Sequence, residues 1–222
     1  MLKVPYRSPP QSHEYIRSSD GDALHAMEPL ATTRTCRCGQ QIFGADDVRQ
    51  DWYRVVSGAA RNYLLLADGR RRIVDFFLAG DYFGFGSRNA NHLTVEAARE
   101  GTVIACYPRR QVEALADSSP ALGRGIREVA VEAVSRSHAR MFILGRVTAV
   151  EKVMAFLAEM AVRSSELDHT VVVLQMSRYD IADYLALSVE TVCRALTELQ
   201  HRGAIALQAK RRIQITARAR VH

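Results

Sequence analysis

The stretch that most constrains this chain is Ser177 to Gly203, SRYDIADYLALSVETVCRALTELQHRG. It contains two helix starts in close succession. Ser177 is placed to cap the first, with Asp180 three residues on in the return position of a capping box. Ile181, Ala182 and Leu185 form that helix's inward face. Leu187-Ser188 makes a tight turn, and Ser188 caps the second helix. Val192, Leu196 and Leu199 repeat at helical spacing as its buried stripe, and Gly203 stops it. Two short amphipathic helices joined by so short a turn are the helix-turn-helix pattern.

Such a motif places the first turns of its second helix in the major groove of double-stranded DNA. Glu190 and Arg194 lie four residues apart and share a face, with Val189 beside them. Arginine can bridge O6 and N7 of guanine, glutamate can accept from the cytosine amine, and valine can touch a thymine methyl. These three residues are the expected base contacts. Ser177, Arg178, Ser188, Thr191 and Cys193 are expected close to DNA or its phosphates. Beyond Gly203, Ala204–Leu207 and Lys210–Ile215 read as a hairpin with Lys210, Arg211 and Arg212 near its tip. A basic wing there contributes phosphate contacts and hence affinity, without base information. The charge distribution agrees. Between His201 and His222 stand Arg202, Lys210, Arg211, Arg212, Arg218 and Arg220 and no acid, in a chain whose net charge is +6.

Upstream the periodicity differs. Residues 1–22 are rich in Pro, Ser and charge and read as a flexible arm. From Gln41 to Tyr107 the signals are short and strand-like: Trp52–Val56, Ala59–Leu66, Ile73–Leu78, Leu93–Ala97 and Thr102–Tyr107, separated by glycine turns. They predict a small β-barrel or sandwich. A short helix is expected over Pro108–Ala116. A longer one starts at the Ser119-Pro120 cap and reaches Leu144. Its apolar stripe, Leu122, Ile126, Val129, Ala133, Met141 and Leu144, is too long for one small barrel to cover, so a homodimer seam is expected. Thr148-x-x-Glu151 opens a further helix to about Val162. Val171–Leu174 reads as a brief strand. The boundaries are thus 1–22 for the arm, 23–117 for the β domain, 118–146 for the dimerisation helix and 147–222 for the DNA-binding domain. No apolar run approaches the roughly 18 residues of a membrane span, and no signal peptide opens the chain, so a cytoplasmic location is expected. The scattered Cys36, Cys38, Cys106 and Cys193 read as reduced thiols. No nucleophile–base pair, phosphate loop or metal-ligand spacing marks an enzyme.

Ser188-Val-Glu-Thr-Val-Cys-Arg194 resembles the recognition helix of the Crp/Fnr superfamily, and Gly80-Asp-Tyr-Phe-Gly-Phe85 resembles that family's glycine turn. Ser57-Gly58 and the Asp68-Gly69-Arg70-Arg71 hairpin fit as well, so the likeness runs from about Ile42 to Ile215. The Val-Glu-Thr-x-x-Arg form is most similar to the Fnr and FixK branches. The resemblance implies an α+β fold: a cyclic-nucleotide-binding-like β-roll, a long dimerisation helix and a C-terminal winged helix-turn-helix. It further implies an activator that binds a TTGAT/ATCAA-like palindrome in low-oxygen or nitrogen-metabolism control and recruits RNA polymerase through exposed surface, such as the Ser164–His169 loop.

Departures narrow the branch. Cyclic-nucleotide binders carry an Arg-Ser or Arg-Thr pair where this chain has Asn91-His92-Leu93-Thr94, and Arg88 stands elsewhere. Cys36-x-Cys38 with a distant Cys106 lacks the spacing of a cluster-bearing oxygen sensor. FixK-type members lack both pockets, so no cofactor is assigned. One alternative is a heme-based gas sensor of the same fold, using His92 or His138. Another, from a different class, is a ligand-binding β-roll whose C-terminal domain docks a protein. Cys193 replaces a serine of the family pattern. Its oxidation would set an anion against DNA and act as a redox brake.

Overall fold

A computed structural model describes residues 21–45, 47, 50–85, 93–164, 170–209 and 211–216. Most of the expected arm, Arg88, Asn91 and His92, the body of the 164–169 loop, Lys210, Arg218 and Arg220 lie outside the described residues.

Helix α1 (Gly21–His25) and a 3-10 turn (Glu28–Leu30) lead into β1 (Thr32–Cys36), β2 (Gln41–Phe43), β3 (Asp51–Ser57), β4 (Ala59–Leu65), β5 (Arg71–Leu78), β6 (Tyr82–Phe83), β7 (Leu93–Ala97) and β8 (Thr102–Pro108). These strands form two antiparallel four-stranded sheets, in the orders β1-β8-β3-β6 and β2-β7-β4-β5. Strand β1 escaped the sequence reading because Thr32 to Thr35 are all exposed. An edge strand of this kind shows no apolar alternation.

Aromatic rings fill the roll between the sheets. Phe77 stacks on Phe83 at 4.4 Å, Phe83 on Tyr53 at 5.3 Å, and Phe43 leans on Tyr53 at 5.4 Å. Burial among them pushes the Tyr53 hydroxyl up to about 12. The glycine turn serves this packing. Gly84 has φ +92°, and a Cβ there would stand 2.7 Å from the Tyr53 ring.

Helix α2 (Arg109–Ser118) and the long helix α3 (Pro120–Leu144) follow. Ser119 caps α3 by accepting from Leu122 N at 3.3 Å, and Pro120 opens its first turn. The expected seam on α3 needs correction. Leu122 is wholly buried within its own protomer, against Leu24, Met27, Trp52, Tyr107 and Val112. Ile126 and Val129 pack on the same cluster. The outward stripe keeps Met141 of the expected set, 61% exposed, and adds Val131 at 66%, Val134 at 54% and Phe142 at 76%. Arg127, Val131, Val134, His138 and Met141 follow the alternating four-and-three spacing of a coiled-coil seam. The helix carries two apolar faces, and sequence periodicity merged them.

Helix α4 (Ala149–Arg163), β9 (Val171–Val173), α5 (Arg178–Leu185), α6 (Val189–His201), β10 (Ile205–Ala209) and β11 (Arg212–Ile215) complete the α+β architecture. The Thr148–Glu151 capping box forms in both directions. Strand β9 pairs with the hairpin, making a three-stranded wing in the order β10-β11-β9. The expected Leu187-Ser188 turn pivots one residue earlier, on Ala186, which adopts the left-handed region at φ 55°.

The C-terminal half packs against the β-roll as one continuous core. Ala59, Ile73, Phe76, Leu78 and Ala98 of the roll join Phe156, Leu157 and Met160 of α4 and Tyr184 and Leu185 of α5. Phe76, Phe156 and Tyr184 meet ring to ring at 5.2 to 6.4 Å. Beside them Arg163 reaches Phe76 O and Asp81, and Arg136 reaches Asp75. Glu159 is closed into this junction. Its Oε1 lies 3.5 Å from Arg163, and its Oε2 has no partner among the described residues. Burial pushes it up to about 7, against the attraction of Arg163 and with the help of the Asp75 charge.

Two expectations follow from these positions. Alanine in the left-handed region costs about 1 kcal/mol, and glycine's greater unfolded-state freedom returns part of any gain. Ala186→Gly should therefore stabilise the protein by about 0.5 kcal/mol, raising the melting temperature by roughly 1–2 °C; a decrease would show that the turn is not strained. For Glu159 the folded-state value lies above the ordinary glutamate value of 4.5. Its contribution is fully present below that ordinary value and is lost as pH rises towards 7, because only the unfolded chain releases the proton in that window. Glu159→Gln should thus gain on wild type between about pH 4.5 and 7, by about 3 kcal/mol at most. Denaturant unfolding at pH 4.5, 6 and 8 tests this, and a pH-independent difference would contradict it.

Candidate nucleic-acid interface

The helix pair is built as its sequence demands. Ser177 accepts from Asp180 N at 3.1 Å, and Asp180 accepts in return from Ser177 N at 3.0 Å, so α5 has a complete capping box. Ser188 accepts from Thr191 N at 3.1 Å and lies 3.0 Å from the Thr191 hydroxyl. Ile181, Ala182 and Leu185 on α5 meet Val192, Leu196 and Leu199 on α6, all buried in one core. That shared core makes α5 and α6 a single rigid unit.

What is left outside is chemically selective. Glu190, Cys193, Arg194 and Thr197 are exposed on one side of α6. Glu190 sits in the first turn, where a backbone N–H and the Ser188 hydroxyl hold its carboxyl below the usual range, with Arg194 a smaller influence. It is therefore an anion and an acceptor throughout neutral pH. Arg194 Nη2 approaches Thr191 Oγ1 at 3.4 Å. Its guanidinium stays on the open surface, where its fork can meet a base edge.

The other expected residues divide. Val189 is half-buried and packs against the core, so its side chain faces partly inward. Thr191 is half-buried and bonded to the cap. Ser177 and Ser188 spend their hydroxyls on helix capping. Arg178 lies half-buried beside Cys193; burial lowers its affinity for the proton and the thiol's charge opposes that. Tyr179, next to it, is 72% exposed. Sequence reading passed over Tyr179, although a large aromatic two residues past a cap and off the apolar stripe was a visible signal. On the wing Arg211 and Arg212 are exposed, and Arg212 Nε donates to Gln208 at 3.0 Å. Lys210 lies outside the described residues.

All four cysteines are free thiols, with Cys36 buried, Cys106 half-buried, and Cys38 and Cys193 exposed. Among the described residues no cluster of His, Cys, Asp and Glu is arranged to hold a metal ion. Among them, too, no helix is long and apolar enough to cross a membrane.

Two family models match the chain. Residues 33–119 match the cyclic nucleotide-binding domain, and residues 151–221 the Crp-like helix-turn-helix domain. The chain is 37% identical over 193 residues to the nitrogen fixation regulation protein FixK of Bradyrhizobium diazoefficiens, covering 86% of this chain and 81% of that protein. It is 38% identical to the FixK of Azorhizobium caulinodans, covering 86% of this chain and 77% of that one. The structure of FixK2 from Bradyrhizobium japonicum matches with a TM-score of 0.78 at 37% identity, over 86% of this chain and 95% of the other. Similarity at this level spans the roll, the long helix and the winged helix alike: the chain belongs to the Crp/Fnr family of transcription regulators, in its FixK-like branch, and is a DNA-binding regulator rather than an enzyme.

Proposed function

We propose that this regulator binds a TTGAT/ATCAA-like palindrome as a homodimer and activates transcription with RNA polymerase, in the control of low-oxygen or nitrogen metabolism. The observation that carries the reading is the open Glu190–Arg194 face of a capped, rigid α6. Glu190 accepts from cytosine and Arg194 bridges guanine, at the inner G·C pairs of each half-site. Val189 is a secondary contact, since half of it is turned to the core. Arg178, Arg211 and Arg212 hold phosphates. The division of labour is a β-roll over 23–117, a dimerisation helix over 118–146 and a DNA-binding domain over 147–222. The stripe Val131, Val134, Met141 and Phe142 supplies the homodimer seam in place of Leu122, Ile126 and Val129. Pairing there sets two recognition helices about 34 Å apart. Oxidation of the exposed Cys193 thiol by two equivalents of peroxide, each delivering one oxygen and leaving as water, would give a sulfinate and lower DNA affinity by repulsion from phosphate.

Arg194→Ala should cost about 1–3 kcal/mol of DNA affinity and relax selectivity at its guanine. Arg211→Ala should weaken all sequences alike and flatten the salt dependence. Titration of half-site variants at several salt concentrations separates the two; unchanged base preference in Arg194→Ala would refute the assignment. Val134→Glu, which places a charge on the exposed stripe, should weaken dimerisation at least about tenfold while the protomer stays folded. Leu122→Ala should instead destabilise the protomer by about 2–5 kcal/mol. Sedimentation and circular dichroism read both, and an unaffected dimer in Val134→Glu would move the seam elsewhere.

A further inference from the structure

A charged cluster joins the β-roll to the first helix of the DNA-reading pair. Arg61 on β4 and Glu96 on β7 are register partners across the sheet. Arg61 Nε donates to Glu96 Oε1 at 2.6 Å, and Arg71 Nη1 donates to the same oxygen at 3.0 Å. Glu96 thus aims both guanidinium groups off the sheet. Arg61 Nη1 and Arg71 Nη2 then converge on Asp180 Oδ1, at 2.7 and 3.0 Å. Arg71 Nε also reaches Asp183 Oδ2 at 3.3 Å, one helical turn further along α5.

Asp180 is 1% exposed, so its charge depends on these partners. Its two oxygens serve two bodies. Oδ1 takes the roll's arginines, and Oδ2 takes Ser177 N at 3.0 Å and Ser177 Oγ at 2.7 Å, closing the cap at the outer end of α5. Without the arginines, Oδ1 would be a buried, unpaired carboxylate oxygen, a costly state that opens the interface to water. Since α5 and α6 share one core, whatever orients α5 orients the recognition helix. The roll is in turn fixed to α3 through the buried Leu122 cluster.

We propose that Asp180 is a positioning residue: clamped by Arg61 and Arg71, it fixes the helix-turn-helix on the β-roll and thereby sets the spacing between half-sites that the dimer accepts. This rests on the dimeric palindrome reading above. Arg61 and Arg71 act without touching DNA.

The test uses the whole 222-residue chain carrying Arg61→Gln with Arg71→Gln, and separately Asp180→Asn, which retains one acceptor oxygen for the cap. Arg70→Gln is the control, because among the described residues Arg70 pairs with Asp68 alone, on the exposed hairpin. Hydrogen exchange without DNA should show faster exchange in peptides from β5 and α5, with α6 and the wing unchanged. Palindromes with the optimal spacer, one base pair more and one less should then be compared. In the clamp variants the preference for the optimal spacer should shrink about fivefold, while the preferred half-site sequence stays the same. Arg61→Lys, which keeps charge but loses the fork, should fall between. Unchanged exchange in the double variant would overturn the clamp whether or not DNA is bound. Faster exchange with an unchanged spacer preference would overturn its role in positioning. A wild-type protein that selects no palindrome would sink the proposed function, and with it the spacing claim, while the exchange data still decide the clamp.

Discussion

The architecture turns on one buried surface: the outer face of the β2-β7-β4-β5 sheet, covered by α4 and α5. A small antiparallel sheet normally leaves one face to water. Here Ile73, Phe76 and Leu78 are closed off by Phe156, Met160 and Tyr184, and the roll and the DNA-binding half share a core. The apolar part of this contact has little directional preference. Direction comes from the guanidinium groups at its margin, each bonding to fixed carboxylates or carbonyls: Arg61 and Arg71 on one side, Arg163 and Arg136 on the other. Planar forks of this kind specify angle as well as contact.

Within the C-terminal half, two demands on the same short helices are kept apart. One stripe of each helix is buried to make a rigid pair, and the caps satisfy the backbone at both starts. The face that remains is exposed and carries Glu190 and Arg194. Val189 shows the limit of that separation, because at the first position of α6 the helix already turns its side chain partly towards the core. The α3 helix makes a parallel division, with one apolar stripe packed on its own roll and another left exposed.

The β-roll has kept the shape of a ligand-binding domain while its centre is occupied by its own side chains. Phe43, Tyr53, Phe77 and Phe83 stack where the two sheets face each other, and Gly84 lets the turn lie directly against Tyr53. Such close packing stiffens the roll, which suits a body against which another domain is oriented.

The sequence by itself determined the local elements. The caps at Ser119, Thr148, Ser177 and Ser188, the inward stripes of α5 and α6, and the exposed Glu190 and Arg194 were legible because each depends on neighbours within about one helical turn. The tertiary structure alone decided which apolar stripe of α3 faces its own protomer, since periodicity reports a face but not what covers it. It also decided that β1 is a strand, because its pairing with β8 comes from residues some seventy positions away in the chain and not from its own composition. Above all it decided the second role of Asp180. From sequence that residue was one half of a weak capping box. Its partnership with Arg61 and Arg71 spans 119 and 109 residues, and no local pattern encodes a contact that exists only once two separately folded surfaces have met.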